Sequence, residues 1–230
     1  MLLRVFVGLI IATGCASIPW LAWRVGRGAL VTMATLALLV MVIGAIVGAA
    51  LYPASDLIVL AFALPGGILL GRALPARFRP FFVFLVALSV LDVVQVALTS
   101  GPPPGQPSAS SGLNPHLIWV NFRIGLPAGH FNIGFVDLLL IAAMSEHFRR
   151  RDRRFWIAVL AGVIGIALAE LSAAARGGRQ NSVLGTLTQA LIPFLTVGWL
   201  VADFLARRQS IPGGPRERRP SFSDEPGAKR

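Results

Sequence analysis

The chain has 230 residues, 55% of them hydrophobic and only 13% charged, with a mean hydropathy of +0.73. Soluble domains carry about 25% charged residues, so this deficit excludes an ordinary water-soluble fold and sets most of the chain against lipid or other apolar helices. The 21 basic residues outnumber the 10 acidic ones but cluster between apolar segments, which is a mark of membrane topology and headgroup contact and not of a nucleic-acid surface.

A hydrocarbon core of about 30 Å takes about 20 apolar residues per helix. On that ruler the sequence predicts an all-α, polytopic transmembrane helix bundle with about seven spans, near 3–22, 29–51, 55–71, 80–99, 126–146, 155–175 and 183–205. The membrane domain covers residues 1–206, with its acidic core at about 80–206, and 207–230 reads as a disordered basic cytoplasmic tail. The first span is read as retained, because Trp20, Trp23 and Arg24 form an interfacial anchor at its end. Cys15, the single cysteine, excludes an internal disulfide and a zinc–cysteine cluster.

Basic connections alternate with neutral ones, except after the sixth span, where Arg176 and Arg179 follow. Arg24 and Arg27 follow the first span; Arg72, Arg77 and Arg79 follow the third; Arg149, Arg150, Arg151, Arg153 and Arg154 follow the fifth. The stretch after the second span has no basic residue, and the Gly/Pro/Ser-rich stretch 100–113 after the fourth has no charge. Positive-inside logic predicts a bacterial inner-membrane protein with its N-terminus outside and its C-terminus in the cytoplasm. In the third span, Pro65-Gly66-Gly67 reads as a kink or a close helix contact. The apolar segment from His116 to Ile124 is too short to span and reads as an interfacial or re-entrant segment.

Two acidic residues interrupt consecutive apolar segments, Asp92 in Leu88-Ser89-Val90-Leu91-Asp92-Val93-Val94-Gln95 and Asp137 in Ile133-Gly134-Phe135-Val136-Asp137-Leu138-Leu139. A carboxylate at membrane depth is costly and marks a functional site by default. Asp92 lies 13 residues after Arg79 and Asp137 lies 12 residues before Arg149. At 1.5 Å per helical residue these are roughly 20 Å and 18 Å from the same side, on helices of opposite direction. Two carboxylates at one depth can share a proton, so that one is ionised and takes a proton from water while the other is protonated and donates one. Gly134 gives a neighbouring helix or an extended substrate room beside Asp137, and Ser89 and Gln95 flank Asp92 at i−3 and i+3.

The order of these segments resembles that in the presenilin and signal-peptide-peptidase family of intramembrane aspartyl proteases. Leu91-Asp92 stands for the family's first aspartate motif, Gly134-Phe135-Val136-Asp137 for its Gly-x-Gly-Asp motif, and Gln189-Ala190-Leu191 for its Pro-Ala-Leu motif. Leu91, Val136 and Gln189 replace the family's Tyr, Gly and Pro, and Pro193 follows the last. The resemblance implies an intramembrane aspartyl protease, active or degenerate, with Asp92 and Asp137 catalytic and with Gly134, Gln189, Ala190 and Leu191 shaping the substrate site. It implies a transmembrane helix as substrate, within a lipid bilayer, and no cofactor. The residues alone leave two other readings open. With Glu170, in the sixth span, the pair makes a three-carboxylate path suited to a proton-coupled transporter or channel; alternatively the acids are interhelical contacts in a non-catalytic scaffold. His116, His130 and His147 fall on separate segments, so no metal site is expected.

Overall fold

A computed structural model describes residues 2–48, 53–99, 121–126, 129–175 and 191–209. Seven helices and one hairpin appear in it. In chain order they are α1 (Leu2–Leu21, followed by a 3₁₀ turn, Ala22–Arg24), α2 (Arg27–Val47), α3 (Ala54–Ala73), α4 (Phe78–Thr99), β1 (Asn121–Leu126), β2 (Gly129–Gly134), α5 (Phe135–Arg150), α6 (Phe155–Ala175) and α7 (Ile192–Gln209). The protein is therefore mainly helical. Among the described residues, the helices long and apolar enough to cross a membrane are α2, α3 and the Phe155–Ser172 part of α6, with a shorter apolar stretch at Phe6–Leu21.

Three expectations change. Residues 126–146 are not one helix: β1 and β2 pair antiparallel from Asn121↔Gly134 to Leu126↔Gly129, and α5 starts only at Phe135. The segment expected to lie in the interface or re-enter thus supplies a strand at its C-terminal end, while residues 116–120 lie outside the described part. The tail expected from Arg207 onward begins later, because α7 continues through Arg207 and Arg208 to Gln209. Arg207 continues the helix because its Nε donates to Asp203 Oδ2 at 2.6 Å, one turn back.

The helix α5 occupies the centre, packed against α3, α1 and α6, and its residues from Leu140 to Phe148 are buried without a break. A helix buried all round has no polar stripe to orient it. Backbone-to-backbone fit orients it instead. On α3, a side chain at Gly67 would run into the carbonyl of Leu139, and one at Gly71 would lie 2.8 Å from the carbonyl of Ala143. Pro65 is buried within an unbroken α3, so the Pro65-Gly66-Gly67 trio makes a close helix contact. The α6–α7 seam uses the same device: a Cβ at Gly165 would lie 2.8 Å from Leu195 Cα. The outer helix α2 turns Leu36, Leu39, Ile43 and Ile46 outward, a continuous apolar surface that suits lipid.

One end of the bundle is tied by arginines. Successive helical residues point 100° apart, so Arg149, Arg150 and Arg151 reach three different partners. Arg149 grips the fully buried Glu146 with two bonds, at 2.7 and 2.8 Å, and Arg72 of α3 reaches the same carboxylate at 3.3 Å. Arg150 Nη1 donates to the carbonyls of Gly71, Arg72 and Leu74, which α3 leaves without intrahelical partners at its C-terminus. Arg151 pairs with Asp203 of α7. Trp20 Nε1 donates to Ser145 Oγ at 3.2 Å, and Ser145 donates to the Ala16 carbonyl at 2.6 Å, joining α1 to the same end of α5.

Overpacking a tight core typically costs 1–3 kcal/mol. Gly67→Ala should therefore destabilise the protein by about 2 kcal/mol in thermal unfolding in detergent. Gly14→Ala on α1, where nothing lies within 4 Å of the added methyl, should be neutral or stabilise by up to about 1 kcal/mol.

Candidate functional site

An aromatic contact sets the register of the helices that carry the two aspartates. Phe81 of α4 stacks on His147 of α5, with ring centroids 4.0 Å apart and planes 21° from parallel, and Trp199 of α7 closes the cluster 5.3 Å from Phe81. The helices run in opposite directions from this point. Asp92 is 11 residues along α4 from Phe81, and Asp137 is 10 residues along α5 from His147. Both carboxylates therefore stand roughly 15–17 Å above one contact, and they lie within electrostatic reach of each other. Both are half-buried.

Each is held by a backbone amide at a helix start. Asp92 Oδ2 accepts from Ile192 N at 3.1 Å, the first residue of α7. The first four N–H groups of a helix have no internal partner, so Asp92 satisfies one of them and its charge faces the positive end of the helix dipole. Asp137 occupies the third position of α5, and its Oδ2 accepts from the amide of Gly134, the N-cap, at 3.2 Å. A Cβ at Gly134 would lie 3.1 Å from that same oxygen. A side chain there would press on the folded-back carboxylate and shift it by a few tenths of an ångström. Asp137 consequently sits where strand becomes helix and not in the middle of a span.

A second polar rung lies one turn from Asp92. Ser89 Oγ lies 2.9 Å from Thr196 Oγ1 of α7, and one of these hydroxyls donates to the other while the second donates back to its own helix, Ser89 to the Leu85 carbonyl at 2.8 Å or Thr196 to the Ile192 carbonyl at 3.0 Å. Beside this rung an apolar cleft of ≈ 400 Å³, lined by Val90, Val93 and Pro193 among others, opens between α4 and α7. Ile192 and Thr196 are site residues that the motifs did not indicate. Pro193 carried the available signal, since proline in the first turn marks a helix start.

Of the residues expected in the site, Gly134 and Asp137 are joined by a hydrogen bond, and Asp92 stands at a similar level on α4. Leu191 is half-buried against the core, immediately before the amide that binds Asp92. Gln189 and Ala190 lie outside the described residues, as does the side chain of Gln95. Glu170 lies on α6, half-buried; Asp92 is the charged group that bears on Asp137. No group of three or more metal-ligating side chains occurs among the described residues. No family model, curated protein or solved structure matches this chain.

The buried imidazole of His147 has no hydrogen-bond partner on either nitrogen among the described residues, so it serves as a flat ring in the aromatic cluster. Replacing an unpaired buried polar group by an apolar one of similar shape is near neutral or stabilising. His147→Phe should leave the unfolding temperature in detergent unchanged or raised; a loss above about 2 kcal/mol would show that an imidazole nitrogen is paired.

Proposed function

We propose that this protein is an intramembrane aspartyl protease of the presenilin and signal-peptide-peptidase type, with about seven spans, its N-terminus outside and its C-terminus in the cytoplasm of a bacterial inner membrane. The observation that carries the reading is the pairing of Asp92 and Asp137, at equal height above the Phe81–His147 contact and each anchored by one backbone amide. Two like charges at close range cannot both ionise, so the pair shares one proton and titrates as a unit. The ionised member takes a proton from water, and the water oxygen attacks the scissile carbonyl carbon. The protonated member donates to the carbonyl oxygen. Collapse of the tetrahedral diol then breaks the C–N bond as the first carboxyl gives its proton to the leaving amine nitrogen and the second takes a proton from a diol hydroxyl, which re-forms the carbonyl and restores both groups to their starting states.

The substrate in this reading is a transmembrane helix that unwinds locally, because an intact helix hides its carbonyls. An unwound segment needs new partners for its N–H and C=O groups. The β1–β2 hairpin leads directly into Asp137 and offers a strand edge for that purpose. Gly134 leaves space beside the carboxylate, and the 189–191 segment would hold substrate backbone opposite it.

In cleavage of a panel of model transmembrane peptides in liposomes, wild type should cut. Asp92→Asn and Asp137→Asn should each lose more than about a thousandfold, since groups that act as a unit fail together. A single variant within tenfold of wild type, or a wild type that neither cuts nor binds a transition-state aspartyl inhibitor, would sink the proposal. Gly134→Val, which crowds Oδ2, should lower turnover by about tenfold or more with peptide binding unchanged, because small misplacements of a reacting group are costly.

A further inference from the structure

Away from the aspartates, α2 and α3 leave a groove between them with α5 as its floor. It encloses ≈ 540 Å³ and is walled by Val31 of α2, Phe62 and Leu69 of α3 and Leu139 of α5. Arg27 and Arg72 stand at one end, Arg27 as the first residue of α2 and Arg72 in the last turn of α3. From Arg72 back to Phe62 is 10 residues of helix, about 15 Å. That is half of the ~30 Å hydrocarbon core, the depth of one leaflet.

The charge at this end is not neutralised internally. Arg72 Nε reaches Glu146 and its Nη1 reaches the Val25 carbonyl, each at 3.3 Å. Glu146 is also gripped by Arg149, so two guanidinium groups share one carboxylate and one positive charge remains. Arg27 adds a second. It is exposed, and it has no hydrogen bond or ion pair among the described residues. No acidic side chain lines the groove.

We propose that the groove binds an anionic glycerophospholipid, with one acyl chain along the α2–α3 seam and the phosphate between Arg27 and Arg72. Basic pockets between membrane helices recognise anionic headgroups in this way. An apolar slot one leaflet deep matches an acyl chain, and a net positive mouth without an acid favours an anionic headgroup over a zwitterionic one, whose own cation competes with the arginines. The site is separate from the aspartate pair, and its occupancy is read without any cleavage assay.

The full chain in detergent would be titrated with phosphatidylglycerol and, separately, with phosphatidylcholine of the same acyl chains, and bound lipid counted by native mass spectrometry. Wild type should retain phosphatidylglycerol in preference. Arg27→Gln should weaken that binding about fivefold, the contribution of one basic residue at an anionic surface. Val31→Trp, which fills the groove, should weaken it by at least as much. Arg208→Gln should change nothing, since that guanidinium packs over Phe204 at 4.5 Å on α7, outside the groove. Equal retention of the two lipids would overturn the proposal, as would an effect of Arg27→Gln no larger than that of Arg208→Gln. A lipid-free dimer that Val31→Trp dissociates would assign the groove to a second copy of the chain and overturn it too.

Discussion

A carboxylate inside an apolar helix bundle must have a donor, and that constraint organises this structure. It is met in two different ways. At the arginine-rich end, Glu146 and Asp203 are each held by two guanidinium groups, Arg72 and Arg149 for the first, Arg151 and Arg207 for the second. At the other level, Asp92 and Asp137 are each held by one backbone N–H. Removing a partner from a buried ion pair costs about 3–5 kcal/mol, so the arginine clamps fix where α3, α5 and α7 end relative to one another. Asp137 inherits its height from the fixed end of α5, while Asp92, on α4, takes its height from the Phe81–His147 contact and the start of α7.

The difference in satisfaction separates these two kinds of acid and supports the proposed chemical role of the second. A carboxylate offers about four lone-pair positions. Both oxygens of Glu146 and both of Asp203 are engaged by cations. Such groups have little hydrogen-bonding capacity left for a substrate. Among the described residues Asp92 and Asp137 each use one oxygen, toward a neutral donor, and in the proposed reaction the other serves water, a proton or a peptide carbonyl. A neutral partner also permits either carboxyl to be protonated without stranding a buried cation, which shared-proton chemistry requires. The half-burial of both residues fits a group that must be reached.

Much of the helical layout is legible in the sequence because hydropathy and arginine spacing report it directly, as at α2, α3 and α6. The hairpin is not legible by that route. Measured by apolar content alone, the residues from Leu126 onward merge with α5 into one span-length segment. Their periodicity differs, however: Phe122, Ile124, Phe131 and Ile133 recur every second residue, and the register pairs Phe122 with Ile133 and Ile124 with Phe131. Alternation of that kind marks a strand, and the length ruler passes over it. The equal depth of the aspartates is legible because arginines mark the same ends that the aromatic cluster marks in space. The Ile192 amide and the Ser89–Thr196 rung are not, since both depend on α4 meeting α7 across about a hundred residues of chain. No local pattern reports a pairing of that separation.

The strand-to-helix junction is a better place for a reacting carboxylate than the middle of a span. In mid-helix every neighbouring amide is bonded within the helix, and a carboxylate there meets only side chains. In the first turn of α5, Asp137 has the free amide of Gly134 beside it and the positive end of the helix dipole behind it. Either stabilises the ionised form without adding a cation. The chain just before it is extended, so its backbone groups are spaced to pair with another extended chain. In the proposed reaction, a peptide unwound for cleavage would meet, at one residue, both the ladder that replaces its lost hydrogen bonds and the carboxyl that activates water against it. Asp92 approaches from α4 with a geometry set by the start of α7, so the proposed dyad depends on α4, α5 and α7 being in register. The aromatic stack of Phe81, His147 and Trp199 below them supplies that register, and this explains why an imidazole with no hydrogen-bond partner among the described residues lies buried at the centre of the bundle.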